Sequence, residues 1–376
     1  MLPAIPATFG RLSEVFISSL GSITGDGNSL NLRPANRAVT ILVDGLGAQN
    51  LKAAGGHAPF LNTALAKTKP IACGFPSTTA TSITSFATGL GAGAHGIVGY
   101  KIFDRQSDSS ANLLTGWGPN LDPLVWQPNQ TVVEAAANRG IAPFAIGPGS
   151  YADSGFTKAT MRGAKYIAGK SISDRIDEAI KLLRGGNQEL LAYLYIPELD
   201  QAAHASGVSS QRWLEQLEEV DSQVRRLAGA LGKGDGLLLT ADHGIVDIPV
   251  HRQIFLDECD VDWTQVRDVS GDPRVNFVYL NEAQYAESFA SRLQQTLGEQ
   301  AIALTRSQVL QAGWYGQASV TTVARMPDVF VLALKQVALY QRTYSAAKSL
   351  EMIGQHGGLS PAELQIPVLA WGAFAS

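Results

Sequence analysis

Three short apolar runs stand out along the chain: Ala38 to Val43, Leu190 to Ile196 and Gly236 to Thr240. Each is unbroken rather than alternating, which predicts a strand buried on both faces. Helical patterns lie between them. From Ser210 to Leu231 the residues Trp213, Leu217, Val220, Val224, Leu227 and Leu231 recur at spacings of 4, 3, 4, 3 and 4, an amphipathic helix of about six turns stopped by Gly232. Further helices are expected at Thr131 to Asn138, Ser173 to Leu183 and Glu282 to Leu297, and further strands at Ile141 to Ile146, Arg274 to Leu280, Asp328 to Leu334 and Ile366 to Trp371. Strands alternating with helices predict an α/β fold with a mostly parallel central sheet and helices on both faces. Residues 254–337 carry their own strand-helix-strand pattern and read as a small inserted α+β subdomain, leaving 1–253 and 338–376 as the core.

Composition narrows the function classes. With 29 Lys+Arg against 33 Asp+Glu and no basic run, the chain has no footprint for a nucleic-acid polymer. Hydrophobic residues at 45% against 16% charged leave ample material for a large core, so a disordered scaffold is excluded. Two cysteines, Cys73 and Cys259, 186 positions apart and neither in a CxxC pair, give no disulfide framework and no thiolate metal site. The first residues lack both a basic region and an unbroken apolar run, and no stretch approaches the length that spans a bilayer. The expectation is a soluble cytoplasmic protein with no membrane partner.

Each of the three buried strands ends in a carboxylate: Asp44 directly after the first, Asp200 four residues after the second, Asp242 two residues after the third. Ligands of open α/β sheets bind outside the carboxyl ends of the strands, so these acids should gather on one rim. Histidines accompany them. Asp200 and His204 stand at i, i+4, Asp242 and His243 are adjacent, and His356 sits in the Gly-rich segment Gly354 to Gly358. Three Asp and three His supply two divalent-metal sites, and this nitrogen/oxygen mixture suits zinc. Singly, each element has a plain reading as a turn, a cap or a loop residue. Jointly, six metal-competent residues at the ends of independently recognised strands point to a metal centre.

The hydroxyl-rich stretch Gly74 to Gly89 runs from a turn into an apolar-periodic segment, and its Ser and Thr residues favour a helix N-terminus near Thr79. The free amides and positive end of such a helix would face the rim, where a phosphoryl group would sit. A threonine hydroxyl becomes an effective nucleophile only beside a base or a metal, and the Asp/His cluster supplies that setting.

In chain order the motifs are DG at Asp44, the Ser/Thr run before Thr88-Gly89, HGI at His95, DxxxH from Asp200, DHG at Asp242 and HGG at His356. This order resembles the type I phosphodiesterase/nucleotide pyrophosphatase branch of the alkaline phosphatase superfamily, over nearly the whole chain from Ala38 to Trp371. The family places its nucleophilic threonine three residues after a proline and nine before the Thr of TG; counts from Pro76 and from Thr88 both land on Thr79. The resemblance implies two zinc ions, one held by Asp44, Asp242, His243 and Thr79, the other by Asp200, His204 and His356, and a phosphothreonine intermediate at Thr79. It also implies a phosphoryl-binding residue three positions after the nucleophile, where members active on nucleotides carry Asn and this chain carries the shorter Ser82.

The expected substrate is a small phosphodiester. Between Ile71 and Tyr100 there is no Lys, Arg, Asp or Glu, so the nucleophile loop offers no cation for the second charge of a monoester, although Lys101, Arg162, Lys165 or Arg325 could reach the pocket from elsewhere. The alternatives are a phosphomonoesterase or phosphonate hydrolase of the same superfamily, or a non-catalytic phosphoester-binding protein, whose mark would be a lost ligand; none is lost here. Among other residues, His95 reads as a structural hydrogen-bonding residue and His57 and His251 as surface residues. Trp117, Trp126 and Tyr151 read as core packing that could alternatively form a stacking face.

Overall fold

A computed structural model describes residues 2, 3, 5, 10–118 and 120–375 of the chain. The apolar runs form strands. β1 (Arg37–Val43), β2 (Ala142–Gly147), β3 (Lys165–Ala168), β4 (Leu190–Ile196) and β5 (Asp235–Thr240) lie parallel, and β10 (Val368–Gly372) adds an antiparallel edge, in the order β10-β5-β1-β4-β2-β3. Every residue of β5 is buried and every residue of β1 after Arg37, so both faces of the central strands are covered, as unbroken apolar runs require. Val43 pairs with Ile196 and Leu42 with Thr240. The carboxyl ends of β1, β4 and β5 are therefore level, and the segments that follow them open on one rim.

Helix α1 (Ser13–Thr24) packs on β1 and on α2 (Thr79–Thr88); its Ser19 hydroxyl meets Thr40 at 3.0 Å. Helix α3 (Ile172–Arg184) packs on β2 and β4, and α4 (Glu198–Ser206) leads into α5 (Gln211–Gly229). The long periodic segment gives α5, with Ser210 as its cap accepting from the Trp213 amide. The helix stops before Gly232 is reached.

A second, four-stranded antiparallel sheet has the order β6-β7-β9-β8, from β6 (Val266–Asp272), β7 (Val275–Leu280), β8 (Ala301–Thr305) and β9 (Val329–Ala333). Alternation along β7 divides its side chains: Val275, Phe277 and Tyr279 join the main core, while Val278 and Leu280 join a smaller core with Phe289 and Leu293 of α6 (Ala286–Leu297). The segment that carries this sheet leaves and re-enters the rest of the chain at one place, because Gln253–Phe255 pairs with Ala338–Tyr340.

Three expected elements are shifted. The strand expected from Arg274 begins at Val275, since Pro273 and Arg274 form the turn from β6. The helix expected from Glu282 begins at Ala286 after a single tight turn. The strand expected from Ile366 to Trp371 is split at Pro367, which has no amide to donate: Gln365–Ile366 pairs with Ile71–Ala72, and only the remainder forms β10. No described helix is long and apolar enough to cross a membrane.

Candidate active site

The structure brings all six predicted Asp and His residues to the rim, with Thr79 among them. Asp44 follows β1, Asp242 and His243 follow β5, Asp200 and His204 lie one turn apart on α4, and His356 enters on a loop after the second sheet. Ligand atoms of Asp200, His204 and His356 lie within 4.8 Å of one another, and so do those of Asp44, Asp200 and His243. Asp200 thus borders both groups. Asp242 joins through His243, whose Nε2 is 3.5 Å from its Oδ2. Gly45 is needed in this turn: its φ is +73°, and a Cβ there would lie 2.6 Å from Ile245 and 3.2 Å from Asp200.

Backbone carbonyls orient the three imidazoles. Nδ1 of His204 is 2.7 Å from the Gly354 oxygen, Nδ1 of His356 is 2.9 Å from the Ser77 oxygen, and Nδ1 of His243 is 3.2 Å from the Gly244 oxygen. A carbonyl only accepts, so each Nδ1 carries the proton and each Nε2 presents a lone pair to the centre. Those lone pairs face carboxylate oxygens, at 3.3 Å between His204 and Asp200, 3.4 Å between His243 and Asp44, and 3.9 Å between His356 and Asp200. Burial pushes His243 down to about 3 and His356 well below its ordinary value, so these two imidazoles are neutral near pH 7. The rings of His243 and His356 stack at 3.6 Å, as two neutral imidazoles can.

The acids complete the picture. Oδ1 of Asp44, Oδ1 of Asp200 and Oδ2 of Asp242 are buried without any hydrogen-bond partner. The other oxygens of two of them are engaged: Tyr195 donates to Asp44, and the Gly45 and His243 amides donate to Asp242 at 3.1 and 3.0 Å. Burial pushes Asp200 and Asp242 up to about 6, and burial together with the charges of Asp242 and Asp200 raises Asp44 well above the usual carboxylate range. Orphaned carboxylate oxygens opposite imidazole lone pairs are the donor set that divalent cations satisfy. The residues present therefore fit the metals that the sequence resemblance implies, with Tyr195 and the three carbonyls as outer supports.

Thr79 is the first residue of α2, with Thr78 extended before it at the cap position. Its hydroxyl lies 3.2 Å from His243 Nε2. The loop that carries it is tied to the His356 loop: Ser77 donates to the Gly358 oxygen at 2.7 Å and accepts from the Gly357 amide at 3.2 Å. Glu363 in turn accepts from the Gly358 amide at 2.9 Å and holds Arg274 of the second sheet through two 3.0 Å contacts, in a pair almost wholly buried.

Ser82 does not take the expected place. It is one turn down α2, fully buried, and does not line the cavity that opens over Thr79. The cavity, about 540 Å³, instead has Tyr100, Lys101 and Asn112 on one side and Ser270, Asp272 and Asn276 on another. Sequence reasoning missed Asp272 and Asn112, because both sit in short hairpins whose local pattern signals only a turn. Of the four cations named beforehand, Lys101 lines the cavity; Arg162 is tied to Glu134, Arg325 donates to the Gly96 and Trp126 carbonyls, and Lys165 is exposed on β3. Tyr151 lines the cavity and Trp117 and Trp126 do not. His95 accepts from the Ile97 amide and meets Ser85 at 2.9 Å, the structural role expected of it, while His57 pairs with Glu218 at the surface and His251 is exposed.

Comparisons with known proteins bear on the fold and the family. Among solved structures, murine ectonucleotide pyrophosphatase/phosphodiesterase 5, in an inactive form bound to AMP, superposes with a TM-score of 0.70 at 18% identity, over 89% of this chain and 88% of that one. The human protein of the same name gives 0.70 at 19% identity, over 89% and 87%. At such identities the likeness establishes a shared fold. Venom phosphodiesterase of Naja atra is 24% identical over 216 residues, which are 55% of this chain and only 24% of that longer protein. The sequence pattern described as type I phosphodiesterase/nucleotide pyrophosphatase matches residues 38–359. With that span covering most of its length, the chain belongs to the type I phosphodiesterase/nucleotide pyrophosphatase family.

Proposed function

We propose that the protein hydrolyses small phosphodiesters with two divalent cations, most suitably zinc, and Thr79 as the nucleophile. One observation carries the reading: the Thr79 hydroxyl stands at the start of α2, 3.2 Å from His243 Nε2, inside a ring of orphaned carboxylate oxygens and imidazole lone pairs. Asp44, Asp242 and His243 would hold one cation and Asp200, His204 and His356 the other. Bound there, the cations would lower the pKa of the nucleophile and offset charge on the phosphoryl oxygens.

The protein's own groups define the steps. Thr79 Oγ1 gives its proton to solvent and attacks phosphorus; the Oγ1–P bond forms as the opposite P–O ester bond breaks, and the leaving alcohol takes up a proton from solvent. The first amides of α2, which have no intrahelical acceptor, face the phosphoryl oxygens. Water then attacks the phosphothreonine in line, breaking the Oγ1–P bond and returning a proton to Thr79. Carbonyl-fixed imidazoles and the Tyr195 hydroxyl on Asp44 keep the cluster oriented through both displacements.

We further propose that residues 254–337 act as an inserted unit that shapes the alcohol-binding side, which the pairing of Gln253–Phe255 with Ala338–Tyr340 beside the cavity supports. Lys101 gives weight to a second reading, a monoesterase or phosphonate hydrolase, since it places a cation at the cavity wall. Hydrolysis of bis-p-nitrophenyl phosphate and p-nitrophenyl phosphate by zinc-loaded protein separates the two. A higher kcat/KM for the diester is expected; a monoester rate equal or above it would favour the second reading.

A further inference from the structure

Three oxygens of the cavity wall have no partner: Thr78 Oγ1, Ser270 Oγ and Asp272 Oδ2. Their residues are 1%, 6% and 6% exposed, so bulk water does not compensate them. A buried polar group without a partner is destabilising, so three on one cavity wall mark a place that a ligand completes. None belongs to the metal-competent set. Ser270 and Asp272 stand two positions apart at the end of β6, from the second sheet, and Thr78 lines the same cavity from the nucleophile loop.

We propose that Thr78, Ser270 and Asp272 form a subsite for a hydroxylated alcohol portion of the phosphoester, so that the substrate class is phosphoesters of polyols such as glycerol or a sugar. The proposal rests on the phosphoester reading above. The chemistry of the three groups selects hydroxyls. Two of them are themselves hydroxyls, and the third is a carboxyl that burial pushes up to about 8, so near neutral pH all three groups can both donate and accept. A diol or triol serves both needs. An ammonium group has only donors and leaves the Thr78 and Ser270 protons unpaired; an alkyl chain leaves all three groups unpaired. Sites built to bond a hydroxyl reject the analogue lacking it far more strongly than apolar pockets reject a missing methylene.

The test is titration calorimetry of zinc-loaded protein with glycerol phosphate, propyl phosphate and ethanolamine phosphate, which share the phosphoryl group and require no turnover. Binding of propyl phosphate reports the phosphoester reading; its affinity relative to glycerol phosphate reports the subsite. Glycerol phosphate should bind on the order of tenfold more tightly than propyl phosphate or better. In Asp272→Ala the ratio should fall to near one, with propyl phosphate affinity and zinc content unchanged. Asp272→Asn, nearly isosteric, and Ser270→Ala should each reduce it partway, so the proposal stays testable if the alanine variant fails to fold. Equal affinities in the wild type, a loss shared by both ligands in the variants, or a preference for ethanolamine phosphate would each overturn the subsite. If neither propyl phosphate nor glycerol phosphate binds, bis-p-nitrophenyl phosphate separates the failures: its binding leaves the phosphoester reading standing and overturns the subsite, and its failure to bind overturns both.

Discussion

Nε2 of His243 lies 3.4 Å from Oδ1 of Asp44, a buried carboxyl oxygen with no hydrogen-bond partner. The imidazole spends its proton on the Gly244 carbonyl, and the carboxylate takes its hydrogen bond from Tyr195 on the opposite oxygen. Two lone pairs at this separation in a buried setting need a proton or a cation between them, and the raised Asp44 carboxyl holds a proton that a divalent cation would displace. The same relation recurs between His204 and Asp200 at 3.3 Å. It is imposed from outside the cluster by the backbone.

Metal content should follow this geometry. Protein purified without chelator should carry about two equivalents of zinc. His356→Ala should lose one equivalent, because His356 borders one group; Asp200→Ala should lose more than one, because Asp200 borders both. Elemental analysis of the two variants checks the order. Chelation should also lower the melting temperature, since it leaves buried carboxylates unpaired.

Thr79→Ala should retain both metals and lose turnover by on the order of a thousandfold or more. Ser82→Ala should stay near wild type, since Ser82 does not line the cavity. Steady-state rates on bis-p-nitrophenyl phosphate decide both. A collapse in Ser82→Ala with Thr79→Ala active would invert the assignment.

The fold and the metal-competent set were legible because each depends on local signals. Unbroken apolar runs marked β1, β4 and β5, and in a parallel sheet with level ends the polar residue after each run must face the same rim. The cavity walls were not legible. Position three after Thr79 is about 4.5 Å along the helix axis, which carries Ser82 away from the exposed end and into the core, and a count along the chain does not reveal that. Asp272 and Asn112 reach the cavity only through the packing of a second sheet and a hairpin against the rim. Val368–Gly372 is a strand, as its apolar run suggests, but such a run carries no signal for its antiparallel direction.

Lys101 should discriminate between esters. Lys101→Met should lower kcat/KM for p-nitrophenyl phosphate on the order of tenfold and leave the diester within about threefold, because a second negative charge is what a lone ammonium at the wall would serve. Equal losses for the two esters would show that Lys101 positions the wall without reading charge.

Arg274 and Glu363 should matter for stability. Burial alone would raise Glu363, but the Arg274 charge and the bonds to it hold the carboxyl below its ordinary 4.5. Glu363→Gln should cost about 3–5 kcal/mol near neutral pH by leaving the guanidinium buried and unpaired. A depressed carboxyl contributes stability above its unfolded value and loses it as pH falls through the folded one. The gap between wild type and Glu363→Gln, measured by urea unfolding, should therefore narrow below pH 4.5. A gap that widens in acid would contradict the pairing.

The central claim is that Thr79 attacks phosphorus before water does. Hydrolysis of a phosphodiester made chiral at phosphorus by isotopic and sulfur substitution, run on zinc-loaded protein in labelled water, tests it in one product analysis. Two in-line displacements, by Thr79 and then by water, give net retention of configuration, and retention is the expected result. Net inversion would mean a single direct attack by water and would contradict the role assigned to Thr79.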